Sequence, residues 1–237
     1  MEAAEAELEA AASAEDEDEP DDDDIEIVET ADDEAEDEDD EDEEDEDDYD
    51  DDDFWASVGI DPIKIVTRGN EYLTLRCYLG DDPVFLGTKG KIFVFTSARA
   101  LSRFLADDNS HDLSDLSTFE DIRTEATNGS LEFDVIDDNV YVLPGLAEDI
   151  ADGPRRMDRD QLDLAVELFT DAADYAGDDT VNEALGSSTP PLGWFVDYTV
   201  NPPDPKRMAP PSGPFDNEAE AWRALEHDFE NRLVKKG

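Results

Sequence analysis

The sequence predicts an α+β fold, in which a small antiparallel sheet carries helices packed on one face and further helices follow at the C-terminal end. A long disordered acidic tail precedes this domain. Three observations indicate this organisation. Residues 1–53 contain 35 Asp and Glu and no Lys or Arg. Residues 84–105 have the pattern of two strands, a glycine turn and a capped helix. Residues 158–177 repeat apolar side chains at helical spacing.

The tail, residues 1–53, has too few apolar side chains to offset the entropy lost on ordering the chain, so we predict that it is disordered. It contains one apolar island, formed by Ile25, Ile27 and Val28. This island has the pattern of a short motif that adds a strand to the sheet edge of a partner, and it resembles the core of a SUMO-interacting motif. A chance run of apolar residues is the simpler explanation.

The end of the tail combines acid with aromatic rings and is the predicted partner-binding segment. Its residues are Asp47, Asp48, Tyr49, Asp50, Asp51, Asp52, Asp53, Phe54 and Trp55. Acid followed by exposed rings suits a basic pocket with an apolar floor. In the alternative, which we favour for the two rings, Phe54 and Trp55 begin the domain and pack on its core.

The domain covers residues 54–237, and its first half has the signals of a sheet. Strand patterns occur at residues 63–67, 71–79, 91–95, 131–136 and 140–143. Gly87 and Gly90 bracket a tight turn before the third of these strands. The segment Asp152-Gly153-Pro154 resembles a hinge, which allows a further boundary near residues 152–157.

The helix signals lie between the strands and in the second half of the domain. Helix patterns occur at residues 97–105, 118–126, 158–177, 179–185 and 217–233. Asp158 and Gln161 have the spacing of a capping box. The last helix is predicted to begin with Asn217 and Glu220, to carry an apolar stripe that ends at Leu233, and to place Lys235-Lys236 at the negative end of its dipole. Residues 190–198 are predicted to be extended.

The strand-and-helix unit of residues 84–105 resembles a segment of a known family. Val94-Phe95-Thr96-Ser97, followed by Leu101, Phe104 and Leu105, is similar to the strand-to-helix unit of the enhanced-serine-sensitivity family, the SseB-like proteins. The whole chain resembles an acidic actinobacterial family often labelled primosomal protein. That resemblance implies a partner in replication or in another nucleic-acid machine.

No catalytic motif stands out, and we predict neither a cofactor nor a metal site. Cys77, the only cysteine, lies in a strand pattern and is predicted to be a buried apolar residue. His111, in a polar loop, and His227, on the polar side of the last helix, are predicted to be surface residues without a role. Residues 87–91 lack the spacing of a phosphate loop and fit a hairpin.

The net charge of −53 disfavours direct binding to nucleic acid or to an anionic membrane. We expect a cytoplasmic protein, since no apolar stretch is long enough for a signal peptide or a membrane span.

The predicted function is a non-enzymatic interaction protein, in which residues 15–53 bind a basic protein surface as a nucleic-acid mimic. The alternative is an enzyme or a small-ligand-binding domain whose tail serves solubility only. The basic pairs Arg155-Arg156 and Lys206-Arg207 either dock the tail or are solvated, and we favour solvation.

Overall fold

The computed structural model describes residues 54–186, 192–204 and 210–237. The predicted tail, with its island at Ile25, Ile27 and Val28 and its acidic end at residues 47–53, lies outside the described residues. The strands are β1 (Asp61–Thr67), β2 (Asn70–Leu79), β3 (Asp82–Phe85), β4 (Gly87–Thr88), β5 (Lys91–Val94), β6 (Val140–Val142) and β7 (Leu233–Lys235). The helices are α1 (Phe54–Val58), α2 (Ala98–Ala106), α3 (Phe119–Asn128), α4 (Leu146–Asp152), α5 (Arg159–Ala176), α6 (Thr180–Leu185), α7 (Leu192–Val200) and α8 (Asp216–Glu230).

The strands form two small sheets, which confirms an α+β fold. The first has the order β3-β2-β1-β6 and the second the order β4-β5-β7. The pairs β1–β2, β2–β3 and β4–β5 are antiparallel, whereas β6 pairs parallel with β1 and β7 pairs parallel with β5. A bridge between Leu73 and Phe95 connects the two sheets. The parallel pairs were not predicted, because they join segments that lie far apart in the sequence.

Alternating side chains on the strands build a core on each face of the sheets. Ile63 and Ile65 of β1 contribute to a cluster with the C-terminal helices, among which Phe169 and Trp222 are fully buried. Leu75 and Cys77 of β2 contribute to a second cluster with α1, α2 and α3. The helices therefore cover the two sheet faces in two groups, and the C-terminal group forms the larger core.

Several predicted local signals are confirmed. Lys89 and Gly90 both have positive φ values, 54° and 71°, as a two-residue hairpin turn requires. The side chain of Ser97 accepts a hydrogen bond from the amide of Ala100 and caps α2. The side chain of Asp158 accepts one from the amide of Gln161 and caps α5. The capping box is only half used, because the Gln161 side chain instead accepts from the amide of Val142.

Two predictions in the C-terminal part are wrong. The described part of the segment predicted to be extended, residues 192–198, belongs to helix α7, which is apolar on most sides and buries Leu192, Phe195 and Val196. Leu233 belongs to strand β7 and not to the stripe of α8, which ends at residue 230. Lys235-Lys236 therefore lies at the end of a strand, and Lys236 places its Nζ 4.2 Å from the ring centre of Phe93.

The connection between α4 and α5, where a further boundary is predicted, contains Gly153 with φ +96°. A Cβ at this glycine would lie 2.9 Å from Cε2 of Phe215, so the connection packs closely against the start of α8. The boundary near residues 152–157 stays a prediction. Of the described helices, none combines the length and the apolar character that crossing a membrane requires.

Candidate partner-binding cleft

A cleft of about 680 Å³ lies between α1, the start of β1 and the segment that follows α3. Four carboxylates line it: Asp61, Glu125, Glu132 and Asp134. The apolar lining consists of Phe54, Trp55, Ala56, Pro62, Leu131 and Ile136, and Ser130 and Asn139 complete the described wall. Since no Lys or Arg is among these residues, we call this site the acidic cleft.

Trp55 joins the two walls of the acidic cleft. Its indole Nε1 donates a hydrogen bond to the carbonyl oxygen of Glu132 at 2.9 Å. Its ring packs edge-on against Phe54 at 5.3 Å and in a tilted arrangement against Phe133 at 5.5 Å. The ring is 6% exposed, so it packs on the core, as the favoured interpretation of the sequence holds. Trp55 is thus a fixed wall of the cleft, and its ring is not free to enter a pocket of a partner.

The prediction of a strand at residues 131–136 is wrong, because this segment pairs with no described strand. Its exposure nevertheless alternates as in a strand: Leu131, Phe133 and Val135 are half-buried, while Glu132 and Asp134 are exposed. Leu131 and Phe133 pack on the core beside α1 and α3. The two exposed carboxylates face the cleft.

A buried ion network supports the sheet beside the cleft. Arg76 of β2 is 4% exposed, and its Nη1 lies 2.8 Å from Glu167 and 2.7 Å from Asp171, both on α5. The hydroxyl of Tyr78 donates to the same Asp171 oxygen at 2.6 Å. Burial raises the pKa of Asp171, while the hydrogen bond from Tyr78 and the charge of Arg76 oppose that rise.

The network reaches the cleft through two residues. Arg76 stands opposite Asp61 in the β1–β2 register, which places their side chains on one face of the sheet. Its Nη2 donates to Oδ1 of Asn139 at 3.4 Å, and Asn139 is 8% exposed where it lines the cleft. Arg76 therefore links β2, which pairs with the start of β1, to the segment before β6.

The other residues considered for a chemical role are Cys77, His111 and His227. Burial and the charge of Asp61 raise the pKa of Cys77 to about 11, so the thiol stays protonated and is a poor nucleophile. The prediction of a surface position for His111 is wrong. Its side chain is 5% exposed and packs at 4.6 Å against the ring of Phe119. His227 is exposed, as predicted.

The described structure also brings together two segments that carry cations and are separated in the sequence. Arg99 and Arg103 are exposed on α2, and Lys235 and Lys236 lie at the end of β7. Gly237 contacts α2, since a Cβ added there would lie 3.1 Å from Cβ of Ala100. None of the four cations forms an ion pair within the described chain. Sequence reasoning missed this contact, because only folding brings α2 and the C-terminal residues together.

The two basic pairs considered in the sequence analysis are Arg155-Arg156 and Lys206-Arg207. Arg155 and Arg156 are exposed, and Arg156 lies 3.7 Å from Asp152. Lys206-Arg207 lies outside the described residues.

Sequence reasoning identified Phe54 and Trp55 but not the other walls of the acidic cleft. Glu125, Glu132 and Asp134 belong to 70 Asp and Glu in the chain, so nothing in the sequence distinguishes them. The alternating pattern of residues 131–136 was the signal that could have located this wall. It was interpreted as an ordinary strand, although no partner strand was available.

Comparison with known proteins identifies the family of this chain. Residues 60–230 match the model of the SatS C-terminal domain. A crystal structure described as the SatS C-terminal domain in complex with bromine is 53% identical, with a TM-score of 0.75. The match covers 78% of this chain and 98% of that chain. No match was found among curated proteins. The chain therefore belongs to the SatS C-terminal domain family.

Proposed function

We propose that this protein is a non-enzymatic interaction protein that binds a basic surface of a partner protein through its acidic segment, residues 15–53, and the acidic cleft. One observation carries the proposal. The acidic run at residues 47–53 ends directly before Phe54, and Phe54 and Trp55 are already part of the cleft wall. The cleft therefore adds four carboxylates, and no cation on its described surface, to the acidic run that precedes it in the sequence.

The composition of the cleft supports a protein partner. Its carboxylates can pair with Lys or Arg side chains, while Trp55, Leu131 and Ile136 offer apolar surface to the stems of those side chains. Ile136 is 61% exposed and adds apolar surface beside the carboxylates of the cleft. Apolar contacts surrounded by charge are typical of protein interfaces, in which charge governs the rate and specificity of association.

The partner that this charge suits best is a protein that itself binds nucleic acid. Such a protein has a basic surface, and a run of carboxylates competes with phosphate for it. A replication factor is one such partner. The resemblance to the family labelled primosomal protein is consistent with this class of partner, but the family match extends neither to that label nor to the SseB-like unit. Because of the charge and hydropathy of the sequence, we propose that this binding occurs in the cytoplasm. We also propose that the protein binds neither nucleic acid nor membrane directly.

A second candidate function is the binding of a small cationic ligand. The cleft volume of about 680 Å³ lies within the range of small-molecule sites. Its carboxylates would pair with amino groups, and the acidic segment would then serve solubility only. The described residues contain no group of three or more His, Cys, Asp or Glu that could hold a metal ion.

A pull-down distinguishes the two candidates. The full chain is compared with a form that starts at Phe54 and with a full-length form in which Asp50 to Asp53 are replaced by Asn. The proposal predicts that basic proteins are recovered with the full chain, that both altered forms lose most of them, and that added salt releases them. Identical partner lists for the three forms would contradict the proposal and favour the small-ligand alternative.

A further inference from the structure

The segment from Leu131 to Ile136, which we call the cleft edge, has the side-chain alternation of a strand without a strand beside it. Within the described chain, none of the backbone amides of residues 131–135 donates a hydrogen bond to another part of the protein. The sheet does not continue here, because residues 137–139 form a single 3₁₀ turn before β6 pairs with β1. These amides are therefore available to an incoming chain.

The cleft edge is also held in place from the side of the domain. The hydrogen bond from Trp55 Nε1 fixes the carbonyl of Glu132. Leu131 and Phe133 pack on the core below it. An edge that is anchored by its inward side chains and whose amides have no hydrogen-bond partner in the described chain needs little ordering before another strand pairs with it.

The charges around the cleft edge specify which strand fits. Glu132 and Asp134 project from the edge itself, and Asp61 and Glu125 lie on the other walls. In an extended chain, every second side chain points to the same face. A strand with Lys or Arg at alternate positions would therefore present its cations to these carboxylates while its backbone pairs with the edge.

We infer that the cleft edge binds an extended, Lys- or Arg-bearing segment of a partner protein by β-strand addition. The inference rests on the proposed function, because it assigns the mode of recognition in the same acidic cleft. Residues 131–135 span about 17 Å as a strand, which is enough for two or three backbone pairs. Recognition then depends on backbone hydrogen bonds as well as on charge.

The test uses the full chain and three synthetic peptides of eight residues. The first alternates Lys and Thr, the second is the same peptide with alternate backbone amides N-methylated, and the third has Glu in place of Lys. Affinity is measured by calorimetry, and the exchange of the amides of residues 131–135 is measured by hydrogen–deuterium exchange. We expect the Lys-Thr peptide to bind, to slow exchange in this segment at least about tenfold, and to lose at least about tenfold in affinity on N-methylation.

Two variants locate the site. Glu132→Gln combined with Asp134→Asn removes the charges of the edge, and we expect it to weaken binding of the Lys-Thr peptide about tenfold. Asp137→Asn combined with Asp138→Asn removes two exposed charges from the adjoining turn, outside the cleft, and is expected to change affinity less than about twofold.

The outcomes separate this inference from the proposed function. Equal binding of the Lys-Thr peptide and its N-methylated form, with unchanged exchange at residues 131–135, overturns strand addition and leaves a charge-driven interaction in place. Binding that the turn variant weakens as much as the edge variant also overturns it. If neither the Lys-Thr peptide nor a basic partner protein binds the full chain, both proposals fail.

Discussion

The indole of Trp55 donates a hydrogen bond to the backbone carbonyl of Glu132, 77 positions later in the chain. This bond joins the first described helix to a segment that has no secondary structure of its own. It joins two walls of the acidic cleft, and it fixes the backbone that carries the carboxylates of residues 132 and 134.

Replacing Trp55 with Phe keeps a ring in the core but removes this donor. We expect the protein to lose about 1–2 kcal/mol of unfolding free energy, and the segment of residues 131–136 to become more accessible. Limited digestion with a glutamate-specific protease, followed by mass spectrometry, measures cleavage after Glu132. Trp194→Phe, at an aromatic side chain that is 40% exposed on α7, serves as the control. Equal cleavage in the two variants would show that the bond does not hold the segment.

Replacing Arg76 with Met leaves Asp171 buried without its cation. Because an uncompensated buried charge is costly, we expect a loss of about 3–5 kcal/mol, measured by urea unfolding. Lys64→Met is the matched control. Lys64 lies 3.0 Å from Glu71, but the two side chains are 36% and 67% exposed. The control should cost less than about 1 kcal/mol. A similar small loss at Arg76 would mean that the network does not stabilise the sheet.

The buried side chain of His111 should make the unfolding free energy depend on pH. Burial, followed by the charge of Arg123, lowers its pKa from 6.5 to about 4. The unfolded chain therefore binds a proton below pH 6.5 that the folded chain does not bind until about pH 4. Stability that is present above pH 6.5 is lost as the pH falls through this window.

We expect the unfolding free energy to fall by about 2 kcal/mol between pH 7 and pH 5 because of this one residue. His111→Phe places a ring that does not titrate beside Phe104 and Phe119. The variant should remove most of that fall, as measured by urea unfolding at both pH values. An identical fall in the variant would assign the pH dependence to other groups.

Gly90 tests the close packing of the β4–β5 turn against the end of α5. It has φ +71°, and a Cβ added there would lie 2.8 Å from Cα of Ala176. Gly90→Ala should therefore cost about 3 kcal/mol, from backbone strain and overpacking together. Gly129→Ala has the same strain at φ +76° but no neighbour within 4 Å, and should cost about 1 kcal/mol. Thermal unfolding compares the two, and equal losses would contradict the close contact.

The elements that sequence reasoning predicted well are those with local causes. Ser97 and Asp158 begin helices because each side chain caps amides within three residues of itself. Gly90 allows a backbone conformation that a hairpin turn needs. These signals operate within a few residues, so they can be recognised without knowing the rest of the fold.

The predictions that were wrong depend on residues that lie far apart in the sequence. A strand pattern at residues 131–136 forms no ladder because no other strand reaches it. Helix α7 lacks the polar face that distinguishes a surface helix, since neighbouring helices cover most of its sides. His111 has polar neighbours in the sequence but aromatic neighbours in space. Of the residues that line the cleft, sequence reasoning predicted only Phe54 and Trp55. It did not identify the carboxylates, because Asp and Glu are too frequent in this sequence to mark a site.

The central claim is that residues 15–53 and the acidic cleft together bind a basic protein. Zero-length crosslinking in cells, which joins carboxylates of this chain to lysines of its neighbours, tests it most directly when the joined peptides are identified by mass spectrometry. The account predicts crosslinks from residues 15–53 and from Glu125, Glu132 or Asp134 to lysines of the same basic protein. Crosslinks to partners that arise only from carboxylates elsewhere on the domain, such as Glu148 or Asp160, would contradict it.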